Sequence, residues 1–157
     1  MKKFILFAFT TGLLSAVVTS SFTAEASDEA AVKARRGYFA AMSFSATPLM
    51  LMGTGKVQYN AEKAQGLANN LKLFTEISIQ GMWPKGTDAS ALKGQTRAKA
   101  EIWAADSNFR YLLTDLRRAA AEIASVAGKG KDNMERAAYN LARTCSECHR
   151  RYRNRHF

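Results

Sequence analysis

From Ile102 to Val126 the apolar residues return every three or four positions: Ile102, Ala105, Phe109, Leu112, Leu116, Ala119, Ile123 and Val126. A strand would send successive residues to opposite faces, so this period lines up on one face only if the chain is helical. Gly128 and Gly130 predict the end of that helix. Three further stretches repeat the pattern. The first, from about Asp28 to Met52, carries Val32, Arg35, Phe39, Met42, Ala46 and Leu49 on one stripe, with a kink or local break predicted at Pro48. The second begins at the N-cap Asn60, turns Ala64, Leu67, Leu71, Phe74 and Ile77 inward, and is expected to stop around Gly81. The fourth opens at KDNMERA, where Asp132 and Glu135 predict a capping box, and carries Met134, Ala138, Leu141, Cys145, Cys148 and Tyr152.

Two prolines and a 47% hydrophobic share, with no alternation of β-branched residues, leave helices as the principal element. Four amphipathic helices with short connections over 53–59 and 127–131 predict an all-α fold, an antiparallel up-down four-helix bundle with axes about 20° apart. The link QGMWPKGTDASALKGQTR between the second and third helices is longer, rich in glycine and expected to be irregular.

The chain opens MKKFILFAFTTGLLSAVVTSSFTAEA, two lysines before an apolar run and then the small-residue site Ala24-Glu25-Ala26. This pattern predicts a cleaved secretory signal peptide over 1–26 and a single domain over 27–157. A membrane anchor needs about 20 unbroken apolar residues, and Thr10, Thr11, Gly12 and Ser15 interrupt the run. The expected address is the bacterial periplasm, with no membrane insertion after cleavage. Removing Lys2, Lys3 and Glu25 lowers the formal charge from +10 to +9, a balance that suits acidic partners or a solvated basic face. Nucleic acid is not an expected partner of an exported protein.

The only two cysteines and both histidines fall within the last thirteen residues. Cys145-Ser146-Glu147-Cys148-His149 is CxxCH, the spacing by which two thiols add to the vinyl groups of a haem while the adjacent imidazole ligates its iron. At 100° per residue, Cys148 lies about 60° to one side of Cys145 and His149 about 40° to the other, so all three reach one flat macrocycle. A thioredoxin-like CxxC belongs at a helix start, and a structural zinc site needs a fourth ligand, for which only His156 remains, two turns along the same predicted helix. A disulfide between cysteines three apart is strained in a helix. One covalent haem c is therefore the expected cofactor, with Cys145 and Cys148 as its thioethers and His149 as its axial iron ligand.

Arg35 sits on the core stripe of the first helix, where an unpaired guanidinium is costly to desolvate. A haem propionate would supply its anion; the alternative is that Arg35 snorkels to the bundle edge. The sixth iron position falls to a methionine thioether or to nothing, Met42 being the methionine one turn beyond Phe39.

At this point the chain resembles the cytochrome c′ family, the class II c-type cytochromes, over essentially all of 27–157. The stretches VKARRGYFAAM, QYNAEKA, WPKGTD, EIWAADSNF and CSECHRRYR carry the resemblance. It implies a four-helix bundle, commonly a homodimer, whose high-spin haem lacks a strong sixth ligand. It also implies Arg153 as the basic residue beside the axial histidine and Arg35 and Arg36 at the haem edge. Lys99 and Glu101 match positions alongside the haem, and Phe39 matches the bulky distal residue over the iron. Six-coordinate relatives resembling cytochrome c-556 carry methionine there, so the five-coordinate branch is expected. The chain is thus read as a haem protein binding NO and CO, or as an electron carrier docking an acidic periplasmic redox partner, with a six-coordinate low-spin carrier as the alternative. It is not expected to be an enzyme, because peroxidase-like chemistry wants a distal acid or base.

Overall fold

The computed structural model describes residues 27–156; the signal-peptide expectation for 1–26 lies outside the described residues. Four helices, α1 (Asp28–Gly53), α2 (Ala61–Glu76), α3 (Phe109–Val126) and α4 (Lys131–Tyr152), form the all-α four-helix bundle. Helix α1 packs on α2 and α4, and α3 packs on the same two neighbours, the arrangement that short antiparallel connections impose. Among the described residues no helix is long and apolar enough to cross a membrane.

Of the kink or local break expected at Pro48, the break is corrected: α1 runs through the proline as one helix. Proline withdraws the N–H that would bond the Phe44 carbonyl, and Phe44 lies on the solvent face, where water can take its place. Ser27 caps the start by accepting from the Ala30 N–H. At the other end Gly55, at φ 70°, lets the chain reverse while the Gly55 N–H donates to the Met52 carbonyl and the Lys56 N–H to Leu51. That paired closure satisfies carbonyls the helix itself cannot.

Asn60 caps α2 as expected, accepting from the Lys63 N–H at 2.8 Å. The helix stops at Glu76 rather than around Gly81. Arg117 Nε of α3 donates to the Thr75 carbonyl at 3.1 Å and Ile77 turns to extended geometry, so Ile77 is exposed rather than inward. Helix α3 begins at Phe109, not at Ile102. Ile102 still enters the core, from a separate 3₁₀ turn at Ala100–Trp103, whereas Ala105 is exposed. The capping box at α4 is absent as well. Gly130, at φ 114°, is the N-cap, which moves Asp132 into the first turn, where its charge suits the helix dipole; Glu135 instead pairs with Lys131 at 3.4 Å.

Helix α4 ends at Tyr152, so His156, expected two turns along it, lies beyond the helix and is exposed. The chain turns extended at Arg153 and bridges antiparallel to Ala98, with the Lys99 N–H donating to the Tyr152 carbonyl and the Asn154 N–H to Arg97. These bonds tie the long link to the end of α4.

Two apolar clusters result. The larger is built by all four helices around Leu49, Met52, Leu71, Ile123, Met134 and Leu141. The smaller gathers Ala98, Ile102, Phe109, Leu112 and Tyr152 under Trp83 and Trp103.

Candidate functional site

Between the two clusters lies a cavity of 1280 Å³, lined by Met42, Ala46, Leu71 and Leu141 from the larger and by Ile102, Phe109, Leu112 and Tyr152 from the smaller. Pockets for drug-sized ligands measure roughly 300–1,000 Å³, so this space has room for a large prosthetic group. Cys145, Cys148 and His149 line it from α4. Both thiols are unbridged and half-buried. Burial pushes both thiols up, Cys148 to about 11 with help from Cys145 and Glu147. His149 keeps an exposed surface, but partial burial first, and then the Arg97 guanidinium, shift it below the usual histidine range, which favours the neutral imidazole whose lone pair a metal can use. Among the described residues no three His, Cys, Asp or Glu side chains are grouped to hold a bare ion. The donor set fits a haem, with two thiols available for its thioethers and one imidazole for its iron.

Phe39 and Met42 line the same cavity from α1. Phe39 is held edge-on between Tyr38 at 4.9 Å and Trp83 at 6.2 Å, while Met42 is packed into the larger cluster. One turn before Phe39, Arg35 is buried to 3% exposure. Its Nη1 donates to Thr87 Oγ1 at 2.6 Å, its Nη2 to Thr96 Oγ1 at 2.8 Å and to the Thr87 carbonyl, and its guanidinium carbon stands 4.9 Å from the centre of the Trp83 ring. A chain of ring contacts continues from Trp83 to Phe109, 4.7 Å apart, and on to Tyr152 at 5.6 Å.

The structure places the remaining expected residues unevenly. Arg36 and Arg153 line the cavity, and Arg36 Nη1 also donates to the Gln95 carbonyl at 3.2 Å. Lys99 and Glu101 do not line it: Lys99 Nζ donates to the Arg150 carbonyl at 3.5 Å, and Glu101 is exposed. Sequence reasoning missed Thr87, Thr96, Trp83 and Arg97. Thr87 and Trp83 belong to the WPKGTD stretch that carried the resemblance, whereas no pattern marked Thr96 or Arg97.

The sequence profile of the family described as Cytochrome C′ matches residues 30–153. The chain is 31% identical over 141 residues to a cytochrome c′ of Cereibacter sphaeroides, spanning 90% of this chain and 93% of that protein. A solved cytochrome c′ from Rhodobacter spheriodes superposes with a TM-score of 0.78 at 32% identity, over 83% of this chain and 99% of the other. Structures of cytochrome c prime from Alcaligenes xylosoxidans share the fold at 21% identity and a TM-score of 0.69, over 83% of this chain and 98% of theirs, and include a nitric oxide complex and a carbon monoxide-bound variant.

Proposed function

Since this chain belongs to the cytochrome c′ family and carries haem c, we propose that it is an exported monohaem cytochrome whose five-coordinate high-spin iron binds NO and CO. The observation that carries this reading is one cavity with the two cysteines and His149 on its α4 wall and the apolar side chain of Phe39 on its α1 wall. In this reading Cys145 and Cys148 would hold the macrocycle, His149 would ligate the iron, and Phe39 would shield it from the α1 wall. The haem, when bound, supplies an iron that exchanges one electron and takes a small neutral ligand. Phe39 offers no hydrogen-bond donor to bound dioxygen and no proton to a peroxide, which favours NO and CO over peroxidase-like turnover. Arg35 and Arg36, which line the cavity, would meet the acidic groups of the macrocycle, and Arg153, which also lines it, would supply a basic group near His149.

A second reading has its own observation. Lys33, Arg36, Arg97 and Arg153 all line the cavity, and basic charge around a redox group steers acidic partners. Electron transfer to such a partner is compatible with gas binding. A six-coordinate low-spin carrier would instead put the Met42 thioether on the iron, and burial of Met42 in the larger cluster argues for filler. Exposed Phe44 of α1 and Leu73 of α2 support the homodimer, which sedimentation checks. Residues 1–26 support a periplasmic address, which N-terminal sequencing of the exported protein checks.

The deciding experiment is the optical spectrum of purified ferrous holoprotein. Broad high-spin bands that change on adding NO or CO are expected. Sharp low-spin bands indifferent to both gases would overturn the five-coordinate assignment.

A further inference from the structure

A guanidinium carries five N–H donors. In Arg35 three are engaged, one by Thr87 Oγ1, one by the Thr87 carbonyl and one by Thr96 Oγ1. All three acceptors are neutral, and both threonines are buried, Thr87 to 0% and Thr96 to 4% exposure. Their hydroxyls are oriented for the task. Thr87 Oγ1 spends its own proton on the Pro84 carbonyl at 2.8 Å, and Thr96 Oγ1 also accepts from the Ala98 N–H at 3.1 Å. Asp88 acts on Arg35 only through space; its carboxylate accepts from Ser90 N–H, Ser90 Oγ and Ala91 N–H. The Nε–H and one Nη1–H of Arg35 thus have no acceptor among the described residues, on a buried cation that lines the cavity.

We propose that Thr87 and Thr96 are positioning residues for the cofactor: they hold Arg35 over the Trp83 ring with two donors turned to an anionic carboxylate of the haem, and so tune its reduction potential. The proposal rests on the haem reading of the cavity. The link between α2 and α3 is then more than a connection, because it sets where the buried positive charge stands. A cation held against a carboxylate keeps that carboxylate ionised to lower pH, by roughly 1–3 units at close range. An ionised carboxylate beside the iron favours the ferric form, so the potential falls as pH rises through the carboxylate's titration. The pH of that fall therefore reports how firmly Arg35 is held.

Spectroelectrochemical titration of the holoprotein from about pH 4 to about pH 9 tests this with Thr87→Val, Thr96→Val and the hydroxyl-restoring Thr87→Ser and Thr96→Ser. Each valine variant is expected to move the fall upward by about one pH unit, and each serine variant to return it to the wild-type position. Superimposable curves for valine variants whose helix content is unchanged overturn the proposal, as does a shift that serine does not reverse. Should a valine variant not fold, Arg35→Lys reads the same quantity, because an ammonium cannot span the three acceptors; an unmoved curve there also overturns it. Wild-type protein lacking covalent haem on a denaturing gel would overturn the haem reading itself, a result visible before any variant is compared.

Discussion

The two apolar clusters on either side of the cavity are built differently. The larger one is closed by all four helices through aliphatic side chains at helical spacing, eleven of them no more than 1% exposed. It is tight enough that a Cβ on Gly53 would stand 2.6 Å from that of Ala138. Its loop end is pinned by Tyr59 Oη on the Ala127 carbonyl at 2.8 Å and by Gln65 between the Ala124 carbonyl and the Gly128 N–H. The smaller cluster is richer in aromatic rings, draws Ala98, Ile102 and Trp83 from the link outside the four helices, and leans on polar ties. Trp83 Nε1, the one buried side-chain polar atom without a partner among the described residues, belongs to it. One region completes itself, and the other is arranged around a space. A cofactor site needs both, since the first supplies rigidity and the second supplies room.

The strongest test of that contrast is removal of the attachment. The double substitution Cys145→Ser with Cys148→Ser is expected to abolish covalent haem, read as loss of haem stain on a denaturing gel, while far-ultraviolet circular dichroism retains the helices of the larger cluster. Collapse of the whole helical signal would erase the distinction. Next in size, Leu49→Ala is expected to cost about 2–5 kcal/mol with or without haem, whereas Ile102→Ala should cost clearly less in the haem-free protein than in the holoprotein. Denaturant unfolding of both forms decides, and equal costs for Ile102→Ala would mean that the smaller cluster is self-sufficient.

Tyr152 sharpens the contrast further. Its Oη accepts from the Asn108 N–H at 2.9 Å and bonds Asn108 Oδ1 at 2.6 Å, standing in for a cap that α3 otherwise lacks. Tyr152→Phe is expected to lower stability by about 1–2 kcal/mol, with amide exchange rising at the start of α3 and not at its far end. Phe39→Ala should speed CO association roughly tenfold, equivalent to about 1.4 kcal/mol of barrier, as read by flash photolysis; an unchanged rate would make Phe39 filler. The smallest effect concerns the haem-free thiols. Burial raises both pKa values and so disfavours the reactive thiolate. Alkylation should therefore be slower than for a free cysteine around neutral pH, with Cys148 accelerating only as pH approaches about 11. The same sign means that the stability contributed by the protonated thiols is present below the unfolded value and is lost as pH rises through the folded one.

How much was legible follows the same division. Helical periodicity located ten of the fifteen buried residues of the larger cluster and missed Met52 and four alanines, Ala68, Ala120, Ala127 and Ala137, because stripes at three and four spacing must be buried but small residues flanking a stripe carry little signal. It failed at Ile102, where a 3₁₀ turn delivers an apolar residue in register with a helix that has not yet begun. It failed at Asp132, where the positive φ of Gly130 starts α4 early. CxxCH named the α4 wall outright, since three ligands on one helix are a local pattern. Arg35 was visible as an anomaly, a cation on a core stripe, but its partners were not. Thr87 and Thr96 stand 52 and 61 residues away and carry no local signal. Lys99 and Glu101 came from the resemblance alone, and the structure puts them off the cavity wall.

By itself, then, the amino-acid order determined four helices, the faces they bury and the chemistry of the attachment motif, because each depends on residues a few positions apart. Only the tertiary structure decided that a cavity lies between two clusters, that Phe39 and His149 line it together, and that a loop fifty residues downstream holds Arg35. Those facts depend on contacts between segments distant in sequence, and a buried charge can be assigned its acceptors only when the chain has brought them to it.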